Sequence, residues 1–85
     1  MAKYKLLFKK SVAKDLRSLP KSDVRKILRR MDALADDPRG SGSKKLSDPE
    51  HYRVRQGVYR IIYEILDGQF IVHVIKIAHR SKSYQ

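Results

Sequence analysis

The sequence predicts an α+β fold, with a helical hairpin packed on one face of an antiparallel sheet. The chain has 85 residues, of which 41% are hydrophobic, and this suits one small domain with a thin core. Residues 21–35 repeat apolar side chains with a period near 3.6, as a helix does, whereas residues 52–78 are rich in β-branched and aromatic residues, as strands are. We therefore assign residues 1–85 to a single small domain with the element order β-α-α-β-β-β.

The first half of the predicted fold is one strand followed by two helices. Residues 4–9 alternate well enough to predict a strand. A short helix follows and ends at Pro20, and its apolar residues share one side: Val12, Ala13, Leu16 and Leu19. The second helix covers residues 21–35, and its side away from the core is a solvated basic face formed by Arg25, Lys26, Arg29 and Arg30. Because the helices meet at a proline, they form an αα-hairpin.

Three strands are predicted after the glycine- and serine-rich loop at residues 37–43. They cover residues 52–55, 58–66 and 70–78. Asp67-Gly68 is the strongest short hairpin signal in the chain, and Gln56-Gly57 is a weaker one.

These turns determine which side chains share a face of the sheet, because directly opposed residues point to the same side. Two-residue turns place Arg53 opposite Arg60, and Ile62 opposite His73. The side that faces the helices is then expected to hold Tyr52, Val54, Tyr59, Ile61, Tyr63, Ile65, Phe70, Val72 and Val74. The other side is expected to hold Arg53, Arg55, Arg60, Glu64, His73 and His79 among Ile62, Ile71, Ile75 and Ile77.

The charge balance predicts a polyanionic partner. Twenty Lys and Arg against nine Asp and Glu leave a net charge of +11, which is a dense positive field for a short chain. Nucleic acid is the first candidate, an anionic membrane surface the second and an acidic protein the third. Arg53, Arg55 and Arg60 converge on one side of the sheet, and guanidinium groups bind phosphate oxygens bidentately. The alternative is that these arginines are solvated and paired with Glu50 or Glu64.

The absence of cysteine, of metal-like histidine spacing and of long apolar runs excludes several classes of site. It contains no cysteine, which excludes disulfides, thiolate metal sites and thiol nucleophiles. His51 and His73 have no metal-like spacing to carboxylates, so neither a metal site nor a cofactor is predicted. No apolar run approaches the roughly 20 residues needed to cross a bilayer, and we expect a cytoplasmic protein without a membrane partner.

The C-terminal segment adds candidates beside the arginines. His79 can exchange protons near neutral pH, Arg80 can stabilise charge on a phosphorane, and Tyr84 can stack on a base or position a hydroxyl. The alternative is a frayed basic tail. Further candidate RNA contacts, besides Arg53 and Arg55, are Lys44, Lys45 and Lys82.

Several segments of the sequence, taken together, resemble the RelE toxins of the RelE/ParE superfamily. This superfamily belongs to the type II toxin–antitoxin systems of bacteria and archaea. The resemblance covers nearly the whole chain, including Leu19-Pro20 and Asp37-Pro38. Its main carriers are Lys45-Leu46, Tyr52-Arg53-Val54-Arg55, Val58-Tyr59-Arg60-Ile61-Ile62-Tyr63, and Val74 to Ala78 followed by His79-Arg80 and Tyr84.

This resemblance implies an mRNA interferase, an endoribonuclease that enters the ribosomal A site, cuts the message and inhibits translation. In that chemistry the nucleotide's own 2′-hydroxyl attacks the adjacent phosphate and leaves a 2′,3′-cyclic phosphate and a 5′-hydroxyl. The family's basic strand pair falls on Arg53 and Arg55, and its transition-state arginine on Arg60. Its proton-donating or charge-stabilising arginine falls on Arg80, and its terminal tyrosine on Tyr84.

Two departures from the family pattern bear on the mechanism. The founding members carry lysines where this chain has Arg53 and Arg55, and arginine, which stays protonated at physiological pH, is a poor general base. Catalysis is then mainly electrostatic, or His79 takes the acid or base role. Arg80 and Tyr84 also lie closer together than in some relatives.

The resemblance implies partners as well. They are the ribosome, with the rRNA and mRNA of its A site, and a RelB-like antitoxin that wraps the toxin; operator DNA is bound only through the antitoxin. Two other functions stay open at this point. ParE-like relatives inhibit DNA gyrase, and a small basic domain of this kind can also bind RNA or the ribosome without cutting anything.

Overall fold

The computed structural model of the chain describes residues 4–40, 42–46 and 51–79. These residues form two helices and a five-stranded sheet, and the predicted α+β fold class is confirmed. The helices are α1 (Lys10–Arg17) and α2 (Lys21–Asp36). The strands are β1 (Lys5–Phe8), β2 (Lys44–Lys45), β3 (His51–Gln56), β4 (Tyr59–Leu66) and β5 (Ile71–His79).

The strands lie in the order β1-β5-β4-β3-β2. β3 is antiparallel to β2 and β4, and β5 is antiparallel to β4, but β1 runs parallel to β5. The sheet is therefore mixed rather than wholly antiparallel. The pairing of β1 with β5 joins segments near opposite ends of the chain, and no turn signal links them. β2 is only two residues long, too short to show a period in the sequence.

Both helices pack against one face of the sheet, as predicted. Pro20 precedes the first residue of α2, where its fixed backbone suits a helix start and its missing N–H costs nothing. The core between the layers contains Val12 of α1, Ile27, Met31 and Leu34 of α2, and Val54, Tyr59, Ile61, Tyr63, Ile65, Val72, Val74 and Ile77 of the sheet. The opposite face of the sheet, which we call the open face, carries no helix of the described chain.

The hairpin between β3 and β4 is shifted by two residues from its predicted register. Gln56 lies opposite Tyr59, so Gly57 and Val58 form the turn, and Gly57 takes the left-handed backbone that this turn needs (φ +61°). Arg55, rather than Arg53, therefore lies opposite Arg60. Because strand side chains alternate with a period of two, a shift of two leaves each of them on its predicted face.

The hairpin between β4 and β5 also differs from its predicted register. Leu66 pairs with Ile71, and residues Asp67–Gln69 form a 3₁₀ turn. Phe70 closes that turn with a φ of +54° and is 52% exposed, so its predicted place in the core is wrong. The Asp67-Gly68 signal did mark the turn, but the connection is longer than two residues.

A β-bulge changes the face on which the last part of β5 presents its side chains. The register shifts between Ile62 and Tyr63, and beyond the bulge Ile61 pairs with Ile77 and Tyr59 with His79. Ile77 and His79 thus lie on the helix side, and their predicted placement on the arginine side is wrong. The extra residue of a bulge inverts the alternation of everything that follows it.

Two contacts fasten the loop after α2 to the sheet. The buried hydroxyl of Tyr63 donates a hydrogen bond of 2.7 Å to the carbonyl oxygen of Pro38, and burial raises the pKa of that hydroxyl. Arg39 donates to both carboxylate oxygens of Asp67, at 3.1 and 2.7 Å, and the Tyr4 hydroxyl donates to the same group at 2.8 Å. These donors, Arg39 foremost, lower the pKa of Asp67 to about 2.

Candidate functional site

Four cations from three neighbouring strands share the open face of the sheet. Arg55 of β3 lies directly opposite Arg60 of β4, and Arg53 of β3 lies opposite Lys44 of β2. Val54 between the two β3 arginines is buried among the core residues, which directs Arg53 and Arg55 to the other side. We call Lys44, Arg53, Arg55 and Arg60 the arginine row. Like charges placed directly opposite each other destabilise a sheet unless an anion or solvent screens them.

Arg60 is the more buried of the two opposed arginines, Arg55 and Arg60, beside the β3–β4 turn. It is half-buried, whereas Arg55 is exposed. The Nε of Arg60 is buried and has no hydrogen-bond partner in the described part of the chain. A buried donor without an acceptor costs about 1–3 kcal/mol. This atom therefore marks a place where an anionic acceptor would stabilise the protein.

The sequence left open that Glu64 neutralises the arginines. In the structure its carboxylate instead lies against two histidines. Glu64 Oε2 lies 2.7 Å from Nδ1 of His73 on β5, and Glu64 Oε1 lies 3.9 Å from Nε2 of His51 on β3. Glu50, the other proposed partner, lies outside the described residues. The carboxylate of Glu64 is thus engaged by two histidines farther along the open face.

The row of His51, Glu64 and His73 was not predicted. Both histidines are direct cross-strand neighbours of Glu64, and only the correct hairpin registers would have shown this. Within the described ranges, no group of three His, Asp or Glu residues is arranged to hold a metal ion. The row forms part of the hydrogen bonding of the open face, away from Arg60.

The remaining predicted site residues are distributed differently from the arginines. Lys45 pairs with Tyr52 and so lies on the face opposite to Lys44. The ring of His79 makes an edge contact with Tyr59 at 5.5 Å between centroids, and the Tyr59 hydroxyl donates a hydrogen bond of 2.9 Å to Asp23 of α2. His79 is thereby separated from Arg60 by the sheet. Arg80, Lys82 and Tyr84 lie outside the described residues.

Sequence reasoning also missed Arg30. The helical pattern assigned it to the solvated face of α2, but the structure leaves it only half-exposed. It lines a pocket of about 210 Å³ together with Gly42, Lys44, Arg53 and Arg55. The helical period locates a residue on the helix surface, but it does not show which neighbouring strand or loop that part of the surface meets.

Comparison with known proteins identifies the family. A model described as the ParE toxin of the type II toxin–antitoxin system parDE matches residues 6–84. The toxin RelE of Mycobacterium tuberculosis is 32% identical over 84 residues, which cover 96% of this chain and 87% of the relative. The chain belongs to the RelE/ParE toxin family.

Other members of this family agree with that assignment. The mRNA interferase toxin RelE of Escherichia coli is 26% identical over 94% of this chain and 86% of its own length. The crystal structure of the archaeal RelE–RelB complex from Pyrococcus horikoshii contains a chain that matches with a TM-score of 0.84 and 31% identity, over 96% of this chain and 99% of that one. In residues 4–40, 42–46 and 51–79 of this RelE/ParE toxin, no helix is long and apolar enough to cross a membrane.

Proposed function

We propose that this toxin is a ribosome-dependent endoribonuclease that cuts mRNA in the A site and so inhibits translation. The observation that carries the proposal is the Arg55–Arg60 pair. Two guanidinium groups face each other across neighbouring strands, and one of them has a buried Nε without an acceptor in the described chain. A phosphodiester supplies the negative oxygens that such a pair requires. The name of the Escherichia coli relative, an mRNA interferase, agrees with this chemistry.

The proposed reaction is an internal transesterification. The 2′-oxygen of one nucleotide forms a bond to phosphorus, and the bond from phosphorus to the next nucleotide's 5′-oxygen breaks. The 2′-hydroxyl loses its proton and the leaving 5′-oxygen gains one, so the products are a 2′,3′-cyclic phosphate and a 5′-hydroxyl. Negative charge builds up on the non-bridging oxygens, where the donors of Arg55 and Arg60 stabilise it.

Of the two mechanisms that the sequence left open, we propose the mainly electrostatic one. Arginine stays protonated and does not act as a base, and His79 contacts Tyr59 on the side of the sheet away from Arg60. Replacement of His79 by Gln is then expected to leave the pH profile of cleavage unchanged. Loss of one limb of that profile near neutral pH would instead establish His79 as the proton-transfer group.

The C-terminal residues enter the proposal through the family resemblance. We propose that Arg80 stabilises charge at the reacting phosphate and that Tyr84 stacks on a base. Arg53 and Arg55 would bind the phosphate itself. Three lysines would contact other phosphates of the RNA: Lys44, Lys45 and Lys82.

We also propose a RelB-like antitoxin as the physiological inhibitor. The Pyrococcus horikoshii relative was crystallised as a RelE–RelB complex. In this chain a groove of about 340 Å³ lies between α1 and α2 and combines an apolar floor with a basic rim. It is lined by Leu16, Leu19, Val24, Arg17, Lys21 and Arg25. Such a groove suits an amphipathic antitoxin segment with acidic flanks, and operator DNA would be bound through the antitoxin.

Inhibition of DNA gyrase is the second candidate, because the matching family model is named for the ParE toxin. The two candidates differ in the nucleic acid that is broken. An interferase leaves cut mRNA and intact DNA, whereas a gyrase poison leaves broken DNA. A gyrase supercoiling assay in the presence of the toxin therefore tests this alternative independently of any RNA measurement.

A cell-free translation reaction tests the proposed function. The purified toxin is added to a defined mRNA, and the 5′ ends of the fragments are mapped by primer extension, with a parallel sample that lacks ribosomes. Cuts within codons only during translation are expected. Intact mRNA in both samples, from a protein shown to be folded, would move the assignment to a gyrase-type target or to a non-catalytic RNA-binding domain.

A further inference from the structure

We infer that Arg30 of α2 binds a second RNA phosphate, next to the reacting one on the same strand. This inference rests on the proposed function and names one more substrate-binding residue of the same site. Three separate parts of the chain bring Arg30, Gly42, Lys44, Arg53 and Arg55 to one pocket of about 210 Å³. The volume is small beside the roughly 300–1,000 Å³ of pockets for drug-sized ligands, and it suits a single phosphate group.

Apart from Gly42, every residue of the described chain that lines this pocket is basic. These residues are three arginines and one lysine. Cations brought together in this way repel one another unless an anion lies between them. Lys44, Arg53 and Arg55 also belong to the arginine row. The anion that this position favours is therefore another phosphate of the RNA strand that binds at the row.

The pocket lies at the β2–β3 edge of the sheet, whereas Arg60 is on β4. Arg30 reaches the pocket from α2, on the helix side of the sheet, whereas Arg60 projects from the open face. Two guanidinium groups on opposite sides of the sheet do not converge on one phosphate. Arg55, which faces Arg60 and also lines the pocket, lies between the two phosphate positions. A single RNA strand therefore places its reacting phosphate at Arg55 and Arg60 and a neighbouring phosphate at Arg30.

Gly42 explains how Arg30 is held in this position. Gly42 has a φ of +89°, and a Cβ atom there would lie 2.5 Å from Nη2 of Arg30 and 3.8 Å from Cγ2 of Val54. Any other residue at position 42 would displace the guanidinium and strain the backbone. The loop thus packs its backbone directly on the Arg30 guanidinium, and Gly42 acts as a positioning residue.

Single-turnover cleavage on ribosomes programmed with a defined mRNA tests the inference. The rate at saturating toxin is measured separately from the toxin concentration that gives half of that rate. Arg30→Ala is expected to lower the saturating rate by about tenfold or more, as the loss of a charged hydrogen bond would. Arg30→Lys should recover only part of it, because an ammonium group lacks the planar fork.

Arg29→Ala is the matched control, since it removes the same charge from an exposed neighbour on the same helix. We expect its saturating rate to stay within about twofold of wild type, as for an exposed surface change. Gly42→Ala retains every cation but moves the tip of the Arg30 side chain, so it should lower the rate, by less than Arg30→Ala does. The double variant should then be little worse than Arg30→Ala, because both changes act through one contact.

The outcomes distinguish failure of this inference from failure of the proposed function. Equal rates for Arg30→Ala and Arg29→Ala, or a normal rate for Gly42→Ala, would overturn the inference while leaving the nuclease assignment in place. A wild-type toxin that cuts nothing on programmed ribosomes would overturn both. Thermal unfolding of each variant shows that it is folded, and Arg30→Gln, which retains more of the side chain, replaces Arg30→Ala if that variant fails to fold.

Discussion

Arg55 and Arg60 lie directly opposite each other on adjacent strands of the open face. The pairing is unfavourable in the free protein, since directly opposed like charges destabilise a sheet. The same geometry directs two sets of guanidinium donors at one point. Stability and activity are therefore expected to respond in opposite directions when either charge is removed, which would distinguish an anion site from a merely solvated surface.

The first prediction concerns Arg60. Arg60→Gln, which preserves much of the aliphatic stem, is expected to leave the melting temperature unchanged or slightly raised. Translation-dependent cleavage should fall by about 100-fold or more, as on removal of a charge-stabilising donor. Arg29→Gln is the control for loss of charge alone. A Gln variant at position 60 that melts far below wild type would show that the residue supports the fold rather than the reaction.

The second prediction concerns the turn between β3 and β4. Gly57 has a φ of +61°, and apart from its two neighbours in sequence no atom of the described chain lies within 4 Å of the position that a Cβ would take. Backbone strain rather than a steric clash therefore opposes a side chain there. Gly57→Ala should lower the free energy of unfolding by about 1–2 kcal/mol.

Gly68 provides the matched control for that turn. It has equal space around it and is not among the positive-φ glycines of the described chain. Gly68→Ala should be neutral or stabilise by about 0.4–1 kcal/mol. Urea titrations of both variants measure the difference, and equal effects would contradict the assigned turn.

The third prediction concerns the buried hydroxyl of Tyr63. Tyr63→Phe removes the hydroxyl that donates to the buried carbonyl of Pro38, which should cost about 1–3 kcal/mol in urea unfolding. Tyr52→Phe is the control, because the Tyr52 hydroxyl accepts a longer hydrogen bond of 3.3 Å from exposed Arg39. A cost for Tyr63→Phe no larger than for Tyr52→Phe would contradict the account of how the loop is fastened.

The fourth prediction is a pH dependence. Arg39 and Tyr4 lower the pKa of Asp67 from 3.8 to about 2, so between these values the folded protein binds fewer protons than the unfolded chain. The stabilisation is therefore fully present above about pH 4 and lost as the pH falls toward 2. Asp67→Asn should be less stable than wild type at pH 6, and this difference should disappear near pH 2.

A double-mutant cycle with Arg39→Gln identifies the cause of that pH dependence. The coupling between Arg39 and Asp67 should be present at pH 6 and fade over the same pH range, because Arg39 is the main contributor to the shift. A difference between wild type and Asp67→Asn that stays constant from pH 6 to pH 2 would show that the carboxylate does not stabilise the fold through its charge.

Local periodicity predicted the parts of this fold that depend on one segment at a time. The apolar stripe placed α2 to within one residue of its end, since the helix is Lys21–Asp36. The open face was assigned correctly to Arg53, Arg55 and Arg60 even though the hairpin register was not. Side chains of a strand alternate with a period of two. The register error of two residues therefore changed which residues lie opposite each other but not the face on which each side chain lies.

Features that depend on contacts between distant segments were not predictable in this way. The bulge between Ile62 and Tyr63 inverted the later part of β5 and moved His79 to the helix side, and no local composition signals it. The parallel pairing of β1 with β5 has no turn to mark it. Arg30 joins the arginine pocket only because the loop at Gly42 folds back over α2.

The most direct test of the central claim is the cleavage of a single phosphodiester on programmed ribosomes. Two messages are compared that differ only at the mapped cut, where one has the 2′-hydroxyl and the other a 2′-deoxy nucleotide. We expect cleavage of the first message alone, only with ribosomes present, and with a downstream fragment that a kinase labels at its free 5′-hydroxyl. Cleavage of the deoxy message, or cleavage without ribosomes, would contradict the account.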